Sequence, residues 1–271
     1  MNSILDTLLS QAVKSNDYLS VRKLLSKGAN KNLILDNGSP ILIYASEKGY
    51  IKIVELLLNK KAFVNAKDKR GYSALFHTVR FSRIEIAKML LSHGADVNIK
   101  DNDETTVLMP VCILPINKNT TNMVRLLLNN GIQVNYQGLY FPSALNYAAG
   151  QGNADVVELL LTRGAHVDIR DQFGSTPLMA ACRKPLMEAR GNQHFSVVRI
   201  LVHHGANVNA KDSEKMKALG RAIFTDKEAA RNMRNILKNN KPTEDGMSVL
   251  DWAKQGGDGK IIKFLLDKGA H

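Results

Sequence analysis

The chain has 271 residues, an apolar content of 44% and a formal net charge of +12 at pH 7. It contains no run long enough to cross a bilayer, and its N-terminus lacks the basic start and apolar stretch of a secretory signal. We interpret its two cysteines, Cys112 and Cys182, as small buried apolar residues, which fits a reducing compartment such as the cytosol or nucleus. The positive charge favours acidic partners.

A helical pair recurs along the chain. One apolar residue early in the first helix marks each copy: Leu9, Leu42, Leu75, Leu108, Leu145, Leu178, Leu219 and Leu250. A second series marks the end of the second helix: Gly28, Lys61, Gly94, Gly131, Gly164, Gly205 and Gly269. The first four markers are 33 residues apart, as are Leu145 and Leu178. A pair this short cannot bury its apolar side alone, so the copies must stack.

The start of the sixth copy has a distinctive sequence, Ser175-Thr176-Pro177-Leu178-Met179-Ala180-Ala181. Degraded forms are Ser73-Ala74-Leu75 and Ser143-Ala144-Leu145, and the third copy closes with Gly94-Ala95-Asp96-Val97-Asn98. With the 33-residue period, these motifs resemble the ankyrin-repeat family over essentially the whole chain. The resemblance implies an all-α solenoid of helix–turn–helix pairs with short β-hairpin-like finger loops. It implies one domain, 1–271, of about eight repeats, at approximately 4–36, 37–69, 70–102, 103–139, 140–172, 173–213, 214–244 and 245–271.

Three of these repeats depart from the regular pattern. The fourth has about four extra residues around 114–121, where we expect a protruding loop, and the sixth has eight more within Lys184–His194. The seventh, 214–244, lacks the closing phrase. In the second repeat, Lys61 replaces the glycine that ends a second helix, so we expect a positive φ there.

No motif of catalysis, metal binding or phosphate binding occurs, so we predict neither enzyme activity nor a cofactor. The adjacent His203 and His204 are interpreted as solvated histidines at a helix end. Four acids recur at one loop register, and their position predicts hydrogen bonds within turns rather than a catalytic row: Asp68, Asp101, Asp171 and Asp212.

A binding surface is a better candidate for the functional site than a catalytic centre, because exposed aromatic side chains anchor protein interfaces. In the ankyrin family the fingers and the exposed side of the first helices form a concave groove. The resemblance places Tyr44, His77, Tyr147 and Trp252 at one groove-facing register, with Phe81 nearby. The apolar fingers add further candidates, Tyr136, Tyr140, Phe141 and Phe173. The alternatives are that the groove residues pack between neighbouring helices, and that Tyr140 and Phe141 cover a gap left by the fourth repeat.

The function expected from these features is non-catalytic binding of a protein partner by a monomer, and the positive net charge favours an acidic partner. A rival is a polyanion site for nucleic acid or acidic lipid on one helix face, formed by Lys227, Arg231, Arg234 and Lys238. A solvated face is the favoured reading of that stripe. Another rival is the targeting part of a larger enzyme. The Lys- and Asn-rich composition indicates an AT-rich genome, such as that of a protist or an intracellular bacterium. In the bacterial case the chain would resemble ankyrin effectors that are delivered into the host cytosol.

Overall fold

A computed structural model describes residues 2–114, 116–138, 142–183, 191–213 and 246–271. These ranges contain fourteen α-helices and no sheet, which confirms the predicted all-α class. The helices are α1 Asn2–Lys14, α2 Tyr18–Ser26, α3 Ile41–Lys48, α4 Ile51–Asn59, α5 Ala74–Arg80, α6 Ile84–Ser92, α7 Leu108–Ile113, α8 Lys118–Asn129, α9 Ala144–Gly150, α10 Ala154–Thr162, α11 Pro177–Cys182, α12 Gly191–His203, α13 Val249–Gly256 and α14 Gly259–Asp267. Residues 1–111 and 117–132 form a first compact unit, and 112–116 with 133–271 form a second.

Four of the first helices, α5, α9, α11 and α13, start at a Ser or Thr whose hydroxyl accepts from a free backbone N–H of the first turn. Ser73 accepts from the backbone of Phe76, and Ser143 accepts from that of Asn146 in the same way. The marker leucine that follows lies inside the stack. All seven described markers are buried: Leu9, Leu42, Leu75, Leu108, Leu145, Leu178 and Leu250. The 33-residue series therefore records the apolar core of each unit.

Lys61 has a φ of 57°, as its place at the end of α4 predicts. Glycines with positive φ occupy the equivalent position after the other described second helices: Gly28, Gly94, Gly131, Gly164, Gly205 and Gly269. The prediction of a left-handed lysine at this cap is confirmed.

The recurring loop acids hold the fingers together. One carboxylate oxygen of Asp68 accepts the backbone N–H groups of Arg70 and Tyr72, at 2.8 and 3.0 Å. Asp101 and Asp171 each accept two backbone N–H groups in the same register. Antiparallel bridges close the fingers, as between Lys67 and Ser73. The predicted turn hydrogen bonds are confirmed.

Asparagines at the end of the fingers connect neighbouring repeats within each unit. The Asn65 amide donates to Gly94 O at 3.3 Å and accepts from Asp96 N at 2.8 Å. Asn135 makes the same pair of bonds to Gly164 and His166. We call this recurring contact the asparagine ladder.

The extra residues of the fourth repeat are mostly helical rather than a protruding loop. Helix α8 begins at Lys118 and has twelve residues, against nine in α10. Asn117 caps this longer helix by accepting from Thr120 N at 3.0 Å, and only 114–117 separate it from α7. The cap explains why the expected loop is short.

The sixth repeat also lengthens its second helix, because α12 has thirteen residues. Within this extension His194 is buried, and its Nε2 lies 3.1 Å from the carbonyl oxygen of Gly150, the last residue of α9 in the preceding repeat. The first part of the predicted insertion, 184–190, lies outside the described residues.

The predicted seventh repeat, 214–244, also lies outside the described residues, but its flanks are informative. Lys211 pairs with Ser248 as the two arms of one finger, and Asp212 accepts from Met247 N at 3.0 Å. Asn209 continues the asparagine ladder directly to Gly269, at 3.1 Å. Helix α13 packs directly on α11. The described residues form seven helical pairs, and the two ends of 214–245 lie on the arms of one finger; a helical pair within 214–244 stays a prediction.

Candidate partner-binding surfaces

The first unit contains an open cleft of about 480 Å³ between two consecutive fingers and the end of α5. We call it the finger cleft. Residues 37–39 and 68–72 of the fingers form its walls, Glu47 of α3 contributes one side, and His77 and Phe81 contribute the helical side. Its volume lies within the range of small-ligand and side-chain pockets. Two predicted groove residues, His77 and Phe81, are thus brought together here.

His77 joins helix α5 to the finger that precedes it. Its Nε2 lies 2.9 Å from Asp68 Oδ2, so an N–H at Nε2 donates to that carboxylate. Its Nδ1 is buried without a hydrogen-bond partner, with Glu47 Oε2 3.9 Å away. Because 13% of the side chain is exposed, His77 offers a partner only its edge.

Aromatic rings line one side of the finger cleft. Phe81 is 45% exposed, whereas Tyr72 stacks on Phe76 with ring centroids 4.1 Å apart and packs edge-on against His77. Burial raises the pKa of the Tyr72 hydroxyl, and Asp101 adds to this effect while nearby arginines oppose it. Tyr72 was not predicted from the sequence, although its backbone N–H donates to the recurring finger acid Asp68.

Tyr44, a predicted groove residue, lies on α3 outside the lining of the finger cleft. Its half-buried ring packs edge-on against Tyr50, with centroids 6.3 Å apart, and Lys48 Nζ lies 5.7 Å from the ring centroid. Its role as a partner contact stays a prediction.

In the second unit, Trp252 is held within the fold. Its indole N–H donates to Asp212 Oδ2 at 2.7 Å, and the Arg183 guanidinium lies 4.3 Å from the centre of its ring. Arg183 also donates to Ser175 Oγ at 2.7 Å. His77 and Trp252 occupy the same position in their repeats, and each bonds to the finger acid that precedes it. This shared position was a signal for the contact that was present in the sequence.

Tyr147 and Asp171 lie close together in the second unit. Burial raises the pKa of the Tyr147 hydroxyl, and the Asp171 carboxylate raises it further. The pKa of Asp171 is itself raised, chiefly by burial, while its backbone hydrogen bonds and Arg183 act in the opposite direction. Tyr147 is half-buried, so this groove position is only partly accessible.

The predicted apolar fingers are described only in part. Tyr136 and Phe173 are half-buried, whereas Tyr140 and Phe141 lie outside the described residues. The basic stripe is outside them as well: Lys227, Arg231, Arg234 and Lys238. Both surfaces stay predictions.

The described residues show no grouping of three or more His, Cys, Asp or Glu side chains fit to bind a metal ion. His204 is engaged with Glu158, at 3.2 Å. Cys112 and Cys182 are buried free thiols, and burial raises the pKa of each to about 12. No helix in the described part combines the length and apolarity that a membrane crossing requires.

Comparison with known proteins agrees with this architecture. A stretch of this chain is 39% identical over 90 residues to serine/threonine-protein kinase 12 of Arabidopsis thaliana, covering 33% of this chain and 18% of the kinase. Putative ankyrin repeat protein L371 of Acanthamoeba polyphaga mimivirus is 24% identical over 209 residues, 75% of this chain and 26% of the viral protein. The matched part of this chain thus spans only 18% and 26% of the lengths of these two relatives.

Two solved structures share the fold over most of the chain. The human ASB11 ankyrin repeat domain superposes with a TM-score of 0.67 at 21% identity, covering 97% of this chain and 98% of the other. An ankyrin repeat domain from Acinetobacter baumannii gives a TM-score of 0.65 at 26% identity, covering 85% and 98%. The family model described as "Ankyrin repeats (3 copies)" matches residues 9–101, 96–171 and 145–235. The chain therefore belongs to the ankyrin-repeat family.

Proposed function

We propose that this chain is a non-catalytic module that binds a protein partner through its fingers and the exposed side of its first helices. Ankyrin repeats are in general protein–protein interaction modules. The observation that carries the proposal is the finger cleft, where one exposed aromatic ring, Phe81, lies beside finger residues and an imidazole edge.

Phe81 supplies the main apolar contact in this proposal. A phenylalanine left 45% exposed on a helix end gains free energy when a partner covers it. The neighbouring residues Asp68 and His77 are fixed by hydrogen bonds before any partner arrives, so little side-chain ordering opposes binding. The mechanism is the rigid presentation of a surface.

A display selection tests the proposal. The full chain is used to select from a library of random peptides on phage, and the affinity of enriched peptides is then measured for wild type, Phe81→Ala and Phe63→Ala. Phe63 is a matched control, because it is 68% exposed and does not line the finger cleft. We expect Phe81→Ala to weaken binding about tenfold or more, as loss of an aromatic anchor does, and Phe63→Ala to leave it unchanged. Equal affinity of wild type and Phe81→Ala for every enriched peptide would reject the finger cleft as the binding surface.

A second candidate is a targeting role beside an enzymatic activity in the same polypeptide. It is favoured by the relatives whose names are those of enzymes, the kinase above and the E3 ubiquitin-protein ligase hecd-1 of Caenorhabditis elegans, which is 41% identical over 96 residues, 3% of its length. In such a protein the repeats would select the substrate. Kinase and ubiquitin-transfer assays of the full-length gene product, with and without residues 1–271, test this role.

A further inference from the structure

The negative charges of the finger cleft are already engaged within the fold. Both oxygens of Asp68 accept hydrogen bonds, Oδ1 from two backbone N–H groups and Oδ2 from His77. Glu47 has Lys48 Nζ 3.5 Å from one oxygen and His77 Nδ1 3.9 Å from the other. Asp68 is therefore hydrogen-bonded through both oxygens, and Glu47 is paired with Lys48 through one of its oxygens.

The positive charges of the finger cleft are uncommitted. Lys69, Arg70 and Arg80 line it, and within the described residues none of their side chains forms a hydrogen bond or an ion pair. All three are exposed. The cleft therefore presents three cations without a side-chain partner in the described residues, beside two acids that already have partners within the fold.

The two arginines come from different elements that meet at one aromatic ring. Arg70 lies on the finger and Arg80 ends α5, and both act electrostatically on the hydroxyl of Tyr72, where they oppose the rise of its pKa. The Lys69 stem lies against Gly38 of the preceding finger, which places its ammonium on the other wall. A ligand between the fingers would thus meet a cation on each side.

We propose that the finger cleft binds an acidic side chain, a glutamate or aspartate of a protein partner, next to an apolar residue that covers Phe81. This inference rests on the proposed function and specifies the partner's chemistry. Arginine pairs with carboxylates in a bidentate geometry that an ammonium cannot match, and the cleft supplies two arginines. The formal net charge of +12 would also attract an acidic partner from a distance.

The test uses the peptides selected by the full chain in the experiment above. We expect the enriched sequences to share an Asp or Glu close to an aromatic or aliphatic residue. For one such peptide, replacement of its Glu by Gln should weaken binding to wild type roughly fivefold to tenfold, as for a partly exposed charge-assisted hydrogen bond. Against Arg80→Gln, the Glu and Gln peptides should bind equally.

Arg22→Gln is the matched control, because Arg22 is an exposed arginine on α2 away from the cleft and should keep the wild-type preference for Glu. Thermal unfolding that matches wild type establishes that Arg80→Gln is folded. Two outcomes would overturn this inference while leaving partner binding intact. One is that the enriched peptides lack an acidic residue, and the other is that Arg80→Gln weakens binding of the Glu peptide and of the Gln peptide by the same factor. Failure to enrich any peptide would count against the proposed function and this inference together.

Discussion

Lys61 holds a left-handed backbone, with a φ of 57°, where the other described second helices are followed by glycine. A side chain in this conformation costs about 1 kcal/mol or more, and glycine removes most of that cost although it adds entropy to the unfolded chain. We expect Lys61→Gly to raise the free energy of unfolding by about 0.5 kcal/mol in urea denaturation. The control is Lys60→Gly, where φ is −82° and glycine should destabilise. A shift of the same sign in both variants would contradict the argument.

Asp171 makes stability depend on pH in a direction that can be worked out. Burial raises the pKa of its carboxyl above the ordinary value of 3.8, so the folded chain disfavours its ionised form relative to the unfolded chain. As pH rises from about 3.8 through the folded pKa, this residue therefore lowers the free energy of unfolding. Below 3.8 the contribution disappears because the carboxyl is protonated in both states.

Asp171→Asn isolates this contribution, because an amide oxygen still accepts from the backbone N–H groups of Phe173 and Ser175. We expect the variant to be more stable than wild type at pH 7, with a difference that shrinks to zero as pH falls. Asp171→Ala lacks the acceptor and should be less stable by about 1–3 kcal/mol. Urea unfolding at several pH values measures both, and a pH-independent difference for Asp171→Asn would refute the assignment.

At the scale of single residues, the sequence predicted the features that depend only on the local backbone conformation. The turn hydrogen bonds of Asp68, Asp101 and Asp171 and the φ of Lys61 follow from residue type and register alone. The second oxygen of Asp68, taken by His77, was not predicted, because that contact depends on the angle between a finger and its helix.

The contact between Trp252 and Asp212 ties helix α13 to the arm of the finger on the far side of 214–245. The carboxylate belongs to a fully buried residue, and its bond from the indole N–H is 2.7 Å long. We expect a coupling energy of about 1.5–3 kcal/mol in a double-mutant cycle of Trp252→Phe and Asp212→Asn, followed by urea unfolding. Phenylalanine keeps an aromatic face for Arg183, so the cycle reports the N–H donor. Additive single effects would show that the contact contributes nothing.

Helices were predicted correctly in place and less well in length. The apolar markers fix where each helix packs, but they do not tell where an exposed polar end begins. Helices α8 and α12 start upstream of their regular positions because Asn117 caps the first of them, while His194 in the second packs against Gly150 at the end of α9. Both signals lie in polar residues that periodicity ignores.

Over the whole chain, we predict that the described helical pairs fold without the segment 214–245, because Lys211 and Ser248 on either side of it already pair in one finger. Removal of Lys215–Asp245 would leave Asp212-Ser213-Glu214-Gly246, the same spacing of Asp and Gly as Asp171-Gln172-Phe173-Gly174. We expect this deletion to fold and to gain up to about 2 kcal/mol, because a shorter loop loses less entropy on closure. Circular dichroism and urea unfolding measure the result.

The control deletion removes a complete helical pair of similar length, Ser143–Ser175, and keeps the repeat register. It should lower stability, because α9 and α10 contribute many of the buried side chains. A Lys215–Asp245 deletion that unfolds would mean that the segment is part of the stack after all.

The family and the repeat period could be predicted from sequence, while the number of stacked layers could not. Leu219 lies 31 residues before Leu250, close enough to the period to suggest a seventh layer. The structure pairs Lys211 with Ser248, a contact between residues 37 positions apart (248 minus 211) that periodicity does not predict, so the residues on either side of 214–245 meet in one finger. The finger cleft was equally hidden, because its charges come from three separate elements.

The asparagine ladder described above has a consequence for how the protein opens. Each rung joins only adjacent repeats, as Asn65 with Asp96 and Asn135 with His166. In a polypeptide of residues 1–271, unravelling can therefore advance one rung at a time, and the amide of His271, bonded to Asn209, belongs to the last rung of that polypeptide. The rate of amide hydrogen exchange in this polypeptide should therefore fall from one rung to the next, being fastest at His271 and slower at His166, which lies further inside the same unit.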